Sequence, residues 1–390
     1  MKRHATLLTS VCALAALPAF GNGFYVPVQA PEATGKGNAW MATADTAAAV
    51  YYNAAGLTQI DAPEVTVGAY AIILGLEADL DSGAHEKADN GWAVLPQIYA
   101  AVPVNEKLVA GFGINTPFGL ATDWDEDSQF RYLATETELT YATGWAVLGY
   151  ELTDTLSIGG GFGVHHADLN IGQVVNVGGF DFPSEFNGDS EALSWTLSTR
   201  WQPHEQHAFG LVYRSKADFN LKGDFHINNI LDNSASLDFI TPATLAGGYS
   251  YRPCKEWNFE ANIEWVNWDE FNTLNLSQGG ITTPVAYNWE SNFIYSVGAT
   301  RHFDNGWNVS AGYNYIENSM PDATFTPGVA DATRHWLNAG VGYQSGSFRT
   351  NFAYQYAFSD RDVSGSPFGL ADGEFESRFH ALMLNFDWRF

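Results

Sequence analysis

The sequence predicts an all-β transmembrane barrel of about fourteen antiparallel strands, with an N-terminal helical hatch that plugs the lumen. Three observations lead to this prediction. Segments such as 193–201, 257–265 and 307–315 alternate strictly between apolar or aromatic residues and polar or small ones, which is the period of a β-strand. Short connections alternate with long polar ones, as periplasmic turns and extracellular loops do. After residue 21, no apolar stretch approaches the length of a membrane-spanning helix.

Residues 1–21 have the features of a secretory signal peptide. They begin with two basic residues, continue with an apolar run to Phe20 and offer small residues for cleavage near Gly21. A retained membrane anchor is the alternative. Cleavage would remove one of the two cysteines and leave Cys254 alone, so we expect no internal disulfide.

The segment that follows, residues 22–60, does not have the strand pattern. Its sequence "GKGNAWMATADTAAAVYYNAAGLTQI" is rich in Ala and Gly and contains helix formers. We predict a compact hatch over residues 22–60 and the barrel over residues 61–390. A disordered periplasmic tail is the alternative, but Tyr51, Tyr52 and Leu57 make the segment too apolar for one.

The chain ends on a strictly alternating strand, "LNFDWRF". Phe386, Trp388 and Phe390 share one parity, and we expect them to contact lipid. Pairing of this strand with the first one would close the barrel and remove both edges. An even number of strands returns the chain to the periplasmic side. We also expect the barrel-assembly machinery to recognise this terminal aromatic strand.

Seven long polar connections are predicted to be extracellular loops. They lie at residues 79–90, 117–135, 172–190, 222–239, 272–288, 318–333 and 360–376. The cluster "DWDEDS" at 123–128 could bind calcium through its carboxylates. A solvated acidic loop, bridged to lipopolysaccharide by divalent cations, is the simpler interpretation.

Composition and motifs argue against several functions. The 44 acidic residues outnumber the 18 basic ones and give a net charge of −26, so nucleic acid is not an expected partner. The sequence has no credible Ser/His/Asp arrangement, cysteine nucleophile or zinc-ligand spacing. We therefore predict no enzyme, no cofactor and no metal site.

Three stretches are similar to parts of one known family. "GNAWMATADTAAAVYYNAAGLTQI" is similar to its hatch, "GFGINTPFGLATDW" to its third strand and "LVYRSKADFNLKGD" to a later strand. Together with the terminal strand, they make the chain resemble the FadL/TodX-type family of outer-membrane transporters for hydrophobic compounds. In the hatch, the family usually has Asn-Pro-Ala. The corresponding residues here are Asn53, Ala54, Ala55 and Gly56.

The resemblance implies a 14-stranded barrel that captures a hydrophobic molecule at its extracellular side, passes it to a lumenal pocket and releases it sideways. Release would occur at a kink in the third strand, which the match places at Asn115, Thr116, Pro117, Phe118, Gly119 and Leu120. The kink has a physical basis, because Pro117 cannot donate to the strand ladder and Gly119 weakens the strand further.

One departure from the family affects the expected substrate. The fatty acid transporter brings basic residues towards the carboxylate of its ligand, whereas the matching stretch here, "GFGVHHADLNI", contains His165 and His166 but no Arg or Lys. The sequence therefore leaves two substrates as alternatives, a neutral hydrocarbon and a fatty acid held by His or by another base. The candidate substrate-binding residues are Phe24, Arg131, Phe162, His165, His166, Arg214 and Lys216. For Arg214 and Lys216, pairing with Glu260 or Glu264 is the structural alternative.

The function predicted from the sequence is passive transport of long-chain fatty acids or hydrocarbons across the Gram-negative outer membrane, gated by the hatch. A general porin for small polar solutes and an adhesin or phage receptor are the main alternatives. An outer-membrane lipase is a third. A porin should have no plug, and an adhesin should not need one.

Overall fold

The computed structural model describes residues 22–228 and 230–390, so the predicted signal peptide lies outside the described residues. Twenty strands in this part of the chain belong to one antiparallel sheet. They are β1 (Glu64–Leu80), β2 (His85–Lys87), β3 (Trp92–Pro103), β4 (Leu108–Asn115), β5 (Leu120–Asp123), β6 (Glu136–Thr153), β7 (Leu156–Val177), β8 (Phe180–His204), β9 (His207–Arg214), β10 (Ala217–Ile227), β11 (Leu231–Thr241), β12 (Thr244–Cys254), β13 (Trp257–Val266), β14 (Thr273–Gln278), β15 (Ile281–Ala286), β16 (Asn292–His302), β17 (Trp307–Ile316), β18 (Arg334–Ser345), β19 (Phe348–Val363) and β20 (Gly373–Arg389).

The helices of the described residues are short. They are α1 (Pro31–Thr34), α2 (Ala49–Tyr52) and 3₁₀ turns at Ala54–Gln59, Trp268–Glu270, Asp322–Thr324 and Pro367–Gly369. None of them is long and apolar enough to cross a membrane.

The twenty strands form a closed barrel of fourteen, as the sequence predicted. Closure occurs where β20 pairs with β1 over the full length of both, from Glu64 opposite Arg389 to Leu80 opposite Gly373. The remaining six strands are a short hairpin arm (β2) and extensions of barrel strands beyond an irregularity (β5, β10, β11, β14 and β15). The predicted outward face of the last strand, with Phe386, Trp388 and Phe390, is exposed around this seam.

Several segments predicted to be extracellular loops are β-hairpins. Strands β7 and β8 pair without interruption from Leu169 opposite Gly188 up to Val177 opposite Phe180, so most of 172–190 is strand. Hairpins β10–β11 and β14–β15 likewise occupy 222–239 and 272–288. The prediction of loops was wrong there because these polar segments keep the period of two, and polarity alone does not distinguish a hairpin that projects into water from a loop.

The lumen has two zones along the barrel axis. At the level of the hatch, β13 presents a polar row to the interior, Asn258, Glu260, Asn262 and Glu264, and all four side chains are buried. Towards the extracellular end, the interior is instead a continuous apolar and aromatic cluster that includes Phe239 on β11. The hatch therefore docks on polar groups, and the space beyond it is apolar.

The hatch packs closely against the barrel wall because several wall residues at the contact have no side chain. Five lumen-facing glycines have no room for a side chain, since a Cβ atom built on each would lie 2.1–2.5 Å from a hatch backbone atom. These glycines are Gly149, Gly159, Gly210, Gly298 and Gly312, on β6, β7, β9, β16 and β17. We call them the glycine belt. They let the hatch backbone approach the wall directly, which a larger residue would prevent.

A side chain in the glycine belt should displace the hatch. In Gly159→Leu, the new Cβ would lie 2.3 Å from the backbone nitrogen of Ala55. Overpacking of this kind costs about 1–3 kcal/mol, or roughly 10- to 100-fold in hatch docking. We expect increased single-channel conductance in planar bilayers. Gly247→Ala is the matched control, because a Cβ there meets nothing within 4 Å. Equal conductance of the two variants would contradict the assignment.

Candidate functional site

One barrel carboxylate binds the hatch through four hydrogen-bond donors. Glu260 accepts hydrogen bonds from the backbone N–H groups of Ala42 (2.7 Å) and Thr43 (3.3 Å), from the Thr43 hydroxyl, and from Nζ of Lys36 at 2.9 Å. The Lys36–Glu260 ion pair is fully buried. Burial lowers the pKa of Lys36, and the attraction of Glu260 opposes that shift. All four donors belong to the hatch, so this carboxylate is its central anchor.

A second buried ion pair fixes the next part of the hatch. Arg214 on β9 lies 3.7 Å from Glu264 and donates to the backbone carbonyls of Tyr51 and Tyr52. Its guanidinium also lies 4.4 Å from the centre of the Tyr51 ring. Tyr25 donates a hydrogen bond of 2.9 Å to the same Glu264. Arg214 thus pairs with Glu264, as the structural alternative expected, and it also holds the hatch.

The hatch turn that lacks the family's usual proline is held by side-chain hydrogen bonds. Asn53 donates to the carbonyls of Met41 (2.8 Å) and Thr199 (3.1 Å) and caps the following 3₁₀ turn by accepting from the N–H of Ala55. The same N–H also donates to the hydroxyl of Ser198. With Ala54 in the proline position, the turn is still docked against β8.

The third barrel strand is interrupted where the sequence placed a kink. It consists of β4 and β5, separated by residues 116–119. Strand β4 pairs with β3 only as far as Ile114 opposite Ile98, and β5 pairs with β6 but not with β3. The outer half of β3, residues 92–97, therefore has no partner on this side, and the wall is open between β3 and β6.

The interruption is paired with the N-terminal segment of the chain instead. The N–H of Val26 donates to the carbonyl of Pro117 (2.8 Å), and the N–H of Gly119 donates to the carbonyl of Phe24 (3.1 Å). Tyr25 and Phe118 form an isolated antiparallel bridge. The backbone of the kink is thus turned inwards, towards the lumen, rather than along the wall.

A cavity of about 480 Å³ lies at this interruption. Its lining includes lumen-facing residues, such as Leu74 and the buried Tyr141, and outward-facing residues, such as Trp92 and Val94. Trp92 is 72% exposed on the outer surface. The cavity therefore lies within the barrel wall, between the apolar lumen and the surface that faces lipid.

On the lumenal side of the kink, Phe24 is completely buried in an aromatic cluster. Its ring lies 4.9 Å from that of Trp268 and 5.1 Å from that of Phe239. Trp289 packs edge-to-face against Trp268 in the same cluster, with the ring centres 4.9 Å apart. The predicted residue Phe24 is thus in the apolar part of the lumen, although it belongs to the hatch segment. The two tryptophans were not singled out from the sequence.

The loop between β17 and β18, within residues 317–333, folds over the extracellular end of the lumen. Trp124 donates to the carbonyl of Pro327 (3.0 Å), and Thr122 donates to that of Gly328 (2.8 Å), so this loop is joined to the segment that follows the kink. Arg361 on β19 donates to the carbonyls of Met320 (2.7 Å) and Asp331 (2.6 Å) in the same loop. We call this loop the cap.

Two predicted substrate-binding residues lie outside the lumen. Phe162 is 70% exposed on the outer face of β7, and His166 shares that face. They cannot contact a molecule inside the barrel, so the prediction was wrong for both. His165 does face the lumen, but its two ring nitrogens are already within 2.9 Å of the Thr143 hydroxyl and 2.6 Å of the Ser194 hydroxyl.

The remaining predicted cations are paired with acids. Arg131 lies 3.2 Å from Asp181, at the extracellular side. Lys216 lies 3.0 Å from Glu270 and 3.2 Å from Asp218, not beside Glu260 or Glu264 as the structural alternative expected, and it is partly exposed. These contacts leave neither cation free to attract a ligand anion. Among the described residues, no group of three or more His, Cys, Asp or Glu side chains is placed to hold a metal ion.

A closed barrel with a docked internal hatch and an interrupted wall defines the chain as an outer-membrane transport protein. The family model described as "Outer membrane protein transport protein (OMPP1/FadL/TodX)" matches residues 12–368, and the chain belongs to this family. It is accordingly a protein of the Gram-negative outer membrane, and the family's members are transport proteins rather than enzymes.

Individual relatives are similar over nearly the whole chain. The "Long-chain fatty acid transport protein" of Escherichia coli K12 is 23% identical, covering 92% of this chain and 93% of its own length. The "47 kDa outer membrane protein" of Pasteurella multocida is 25% identical, covering 99% and 98%. In fold, the chain is similar to a FadL homologue of Pseudomonas aeruginosa, with a TM-score of 0.87, 18% identity and coverage of 94% of this chain and 100% of that one. It is also similar to the toluene transporter TodX of Pseudomonas putida, with a TM-score of 0.76, 15% identity and coverage of 97% and 100%.

Proposed function

We propose that this protein transports hydrophobic molecules passively across the outer membrane and releases them sideways into the bilayer through the interrupted wall at residues 116–119. The observation that supports the proposal most strongly is the 480 Å³ cavity, whose lining combines lumen-facing and lipid-facing residues. The names of similar proteins also support transport of hydrophobic molecules, since they include a long-chain fatty acid transport protein and a toluene transporter.

Sideways release suits an apolar substrate. A molecule that entered water below the barrel would lose about 25 cal/mol for each Å² of apolar surface that it exposed. Exit into lipid avoids this loss, and the concentration gradient then suffices as a driving force. In this mechanism, the substrate is captured at the extracellular side, occupies the apolar cluster around Phe24 and leaves between β3 and β6.

The hatch makes a general porin the weaker alternative. Its backbone lies against the glycine belt, and its anchors on Glu260 and Glu264 are buried, so it occupies the polar zone that a porin would leave open to water. We propose that the hatch remains docked while the substrate moves sideways, in place of the gating by the hatch that was expected from the sequence. The outward-facing Phe386, Trp388 and Phe390 are available to lipid, lipopolysaccharide and the barrel-assembly machinery as further partners.

Binding and conductance of the purified, folded barrel test the proposal together. We expect an apolar ligand, such as hexadecane or methyl oleate, to change the fluorescence emission of the buried Trp268 and Trp289, while the protein adds little ion conductance to a planar bilayer. Steady aqueous conductance without binding of any apolar ligand would favour the porin. Absence of both would favour an adhesin or receptor.

A further inference from the structure

A glutamine of the hatch binds the kink directly. Gln29 is completely buried, and its side-chain amide pairs with the backbone of Thr116 through both a donor and an acceptor. The Nε2 atom donates a hydrogen bond of 2.9 Å to the Thr116 carbonyl, and the Oε1 atom accepts one of 3.3 Å from the Thr116 N–H. Oε1 also accepts from Nδ2 of Asn115 at 3.1 Å. A neighbouring strand would offer the same two kinds of group, so this side chain takes the place of a strand partner.

Thr116 needs such a partner because the third strand loses its neighbours at this residue. Strand β4 ends at Asn115, and its pairing with β3 stops one residue earlier, at Ile114. The ladders with β6 run to Asn115 and resume at Leu120, so they also omit Thr116. Thr116 is itself buried. A buried peptide group without a partner is destabilising, and Gln29 supplies a partner for both the N–H and the carbonyl.

The position of Gln29 is set by contacts with three other parts of the protein. Its N–H donates to the Tyr52 hydroxyl of α2 at 2.8 Å, and its carbonyl accepts from the Tyr99 hydroxyl on β3 at 3.1 Å. Its Nε2 atom also donates to the carbonyl of Val26 at 2.8 Å. Both tyrosines are buried. Every hydrogen-bonding group of Gln29 is therefore used, and the residue joins the kink to the hatch helix, to β3 and to the N-terminal segment.

The contact between Gln29 and Thr116 opposes a straight third strand. Continuing the ladder between β3 and β4 in its own register would set Ala93 across from Gly119. In the observed structure, both of these residues line the cavity of about 480 Å³ instead. A straight strand would close that cavity and would draw the backbone of Thr116 away from Gln29. The two hydrogen bonds between Gln29 and Thr116 therefore favour the open wall.

We propose that the docked hatch holds the opening between β3 and β6 in its open shape, with Gln29 as the positioning residue that fixes the kink. This inference rests on the transport function proposed above and gives the hatch a second role, in addition to blocking water. When the hatch is displaced, Thr116 loses its partner and the kink moves towards the wall. Release into the bilayer then requires a docked hatch, so the same contact that keeps the lumen plugged keeps the side of the barrel open.

A disulfide across the opening measures the shape of the wall. Ala93→Cys and Gly119→Cys are combined with Cys254→Ser, and a mild oxidant is added to the purified, folded barrel. The two positions come into register when the third strand is straight. Gln29→Met keeps a side chain of similar length but loses both hydrogen bonds to Thr116. We expect it to speed disulfide formation roughly tenfold and, without the added cysteines, to reduce uptake of a radiolabelled hydrophobic substrate by a similar factor.

Three further variants make the measurement specific. Gln29→Glu keeps an acceptor for the Thr116 N–H but loses donors of the amide, so its effect should be smaller than that of Gln29→Met. Gln355→Met is the matched control, since Gln355 is equally buried but bonds to Asn338 on β18, and it should leave disulfide formation unchanged. Glu260→Ala loosens the hatch away from the kink and should speed disulfide formation as Gln29→Met does.

The outcomes separate this inference from the proposed function. If Gln29→Met forms the disulfide no faster than Gln355→Met, the role of Gln29 is overturned while sideways release stands. A Glu260→Ala hatch that trypsin cleaves at Lys36, with no faster disulfide formation, would also overturn it. If Gln29→Met closes the wall but uptake stays normal, the hatch holds the wall as proposed and the sideways route fails. Methyl oleate binding checks that the lumen of each variant is intact, and heat-modifiable electrophoretic migration checks its folding.

Discussion

Restoring a regular third strand should abolish delivery of substrate while leaving the barrel folded. In Pro117→Val combined with Gly119→Val, residue 117 regains an N–H group and both positions gain a β-branched side chain that favours an extended strand. A Cβ at residue 119 meets only ordinary contacts at 3.8 Å, so the change is tolerated sterically. Pairing with residues 92–97 of β3 would then close the wall. Uptake of a radiolabelled hydrophobic substrate by intact cells measures the effect.

A second variant closes the opening without altering the kink. Thr140 lies on the outward face of β6 and lines the cavity, so Thr140→Trp should fill part of its 480 Å³ and reduce uptake strongly. Leu337→Trp is the matched control, because Leu337 is also outward-facing but lies on β18, away from the opening. Normal uptake by both closing variants, with ligand binding unchanged, would show that substrates do not leave through the wall.

Removing the central hatch anchor should open the barrel to water. Glu260→Ala leaves the ammonium of Lys36 buried without its carboxylate, and breaking a buried pair in this way costs about 3–5 kcal/mol. That corresponds to a shift of roughly 10²- to 4 × 10³-fold towards the undocked hatch. We expect increased ion conductance in planar bilayers and cleavage by trypsin at Lys36, which is inaccessible when the hatch is docked.

Two companion variants identify the cause of any such opening. Glu106→Ala removes the same charge from an exposed periplasmic turn and should leave conductance unchanged. Lys36→Met combined with Glu260→Gln removes both charges, keeps an acceptor for the hatch backbone and should conduct less than Glu260→Ala. If Glu260→Ala remains closed and resistant to trypsin, the hatch is held mainly by other contacts, and the role assigned to Glu260 is wrong.

The sequence predicted the barrel and its closure because the lipid-facing strands repeat every two residues, and the terminal Phe386, Trp388 and Phe390 show that period most clearly. The same parity would have placed Phe162 outside and His165 inside, had it been applied to β7. It could not tell the two faces of β18 apart. Near the extracellular end both faces of β18 contain aromatic or apolar residues, Trp336 inside and Leu337 outside, so hydrophobicity does not tell the faces apart.

The hydrophobic pattern of the sequence also could not show which barrel residues bind the hatch. Lys36 and Glu260 are separated by 224 residues, and only the closed barrel brings them together. The kink was found because Pro117 is a local signal. The inward turn of the kink was not predicted, because the turn depends on hydrogen bonds to Phe24 and Val26, more than 90 residues earlier in the chain.

The glycine belt has a consequence for the order in which the protein is assembled. The hatch is synthesised before any strand, yet the surface that receives it spans β6 to β17 and is enclosed only when β20 reaches β1. A hatch that touches the wall on so many strands cannot be inserted through a sealed cylinder of the same width. Contacts this distant in sequence also form late in folding. The N-terminal segment must therefore lie within the curled sheet before the seam joins, so the first part of the chain to be made is among the last to reach its final position.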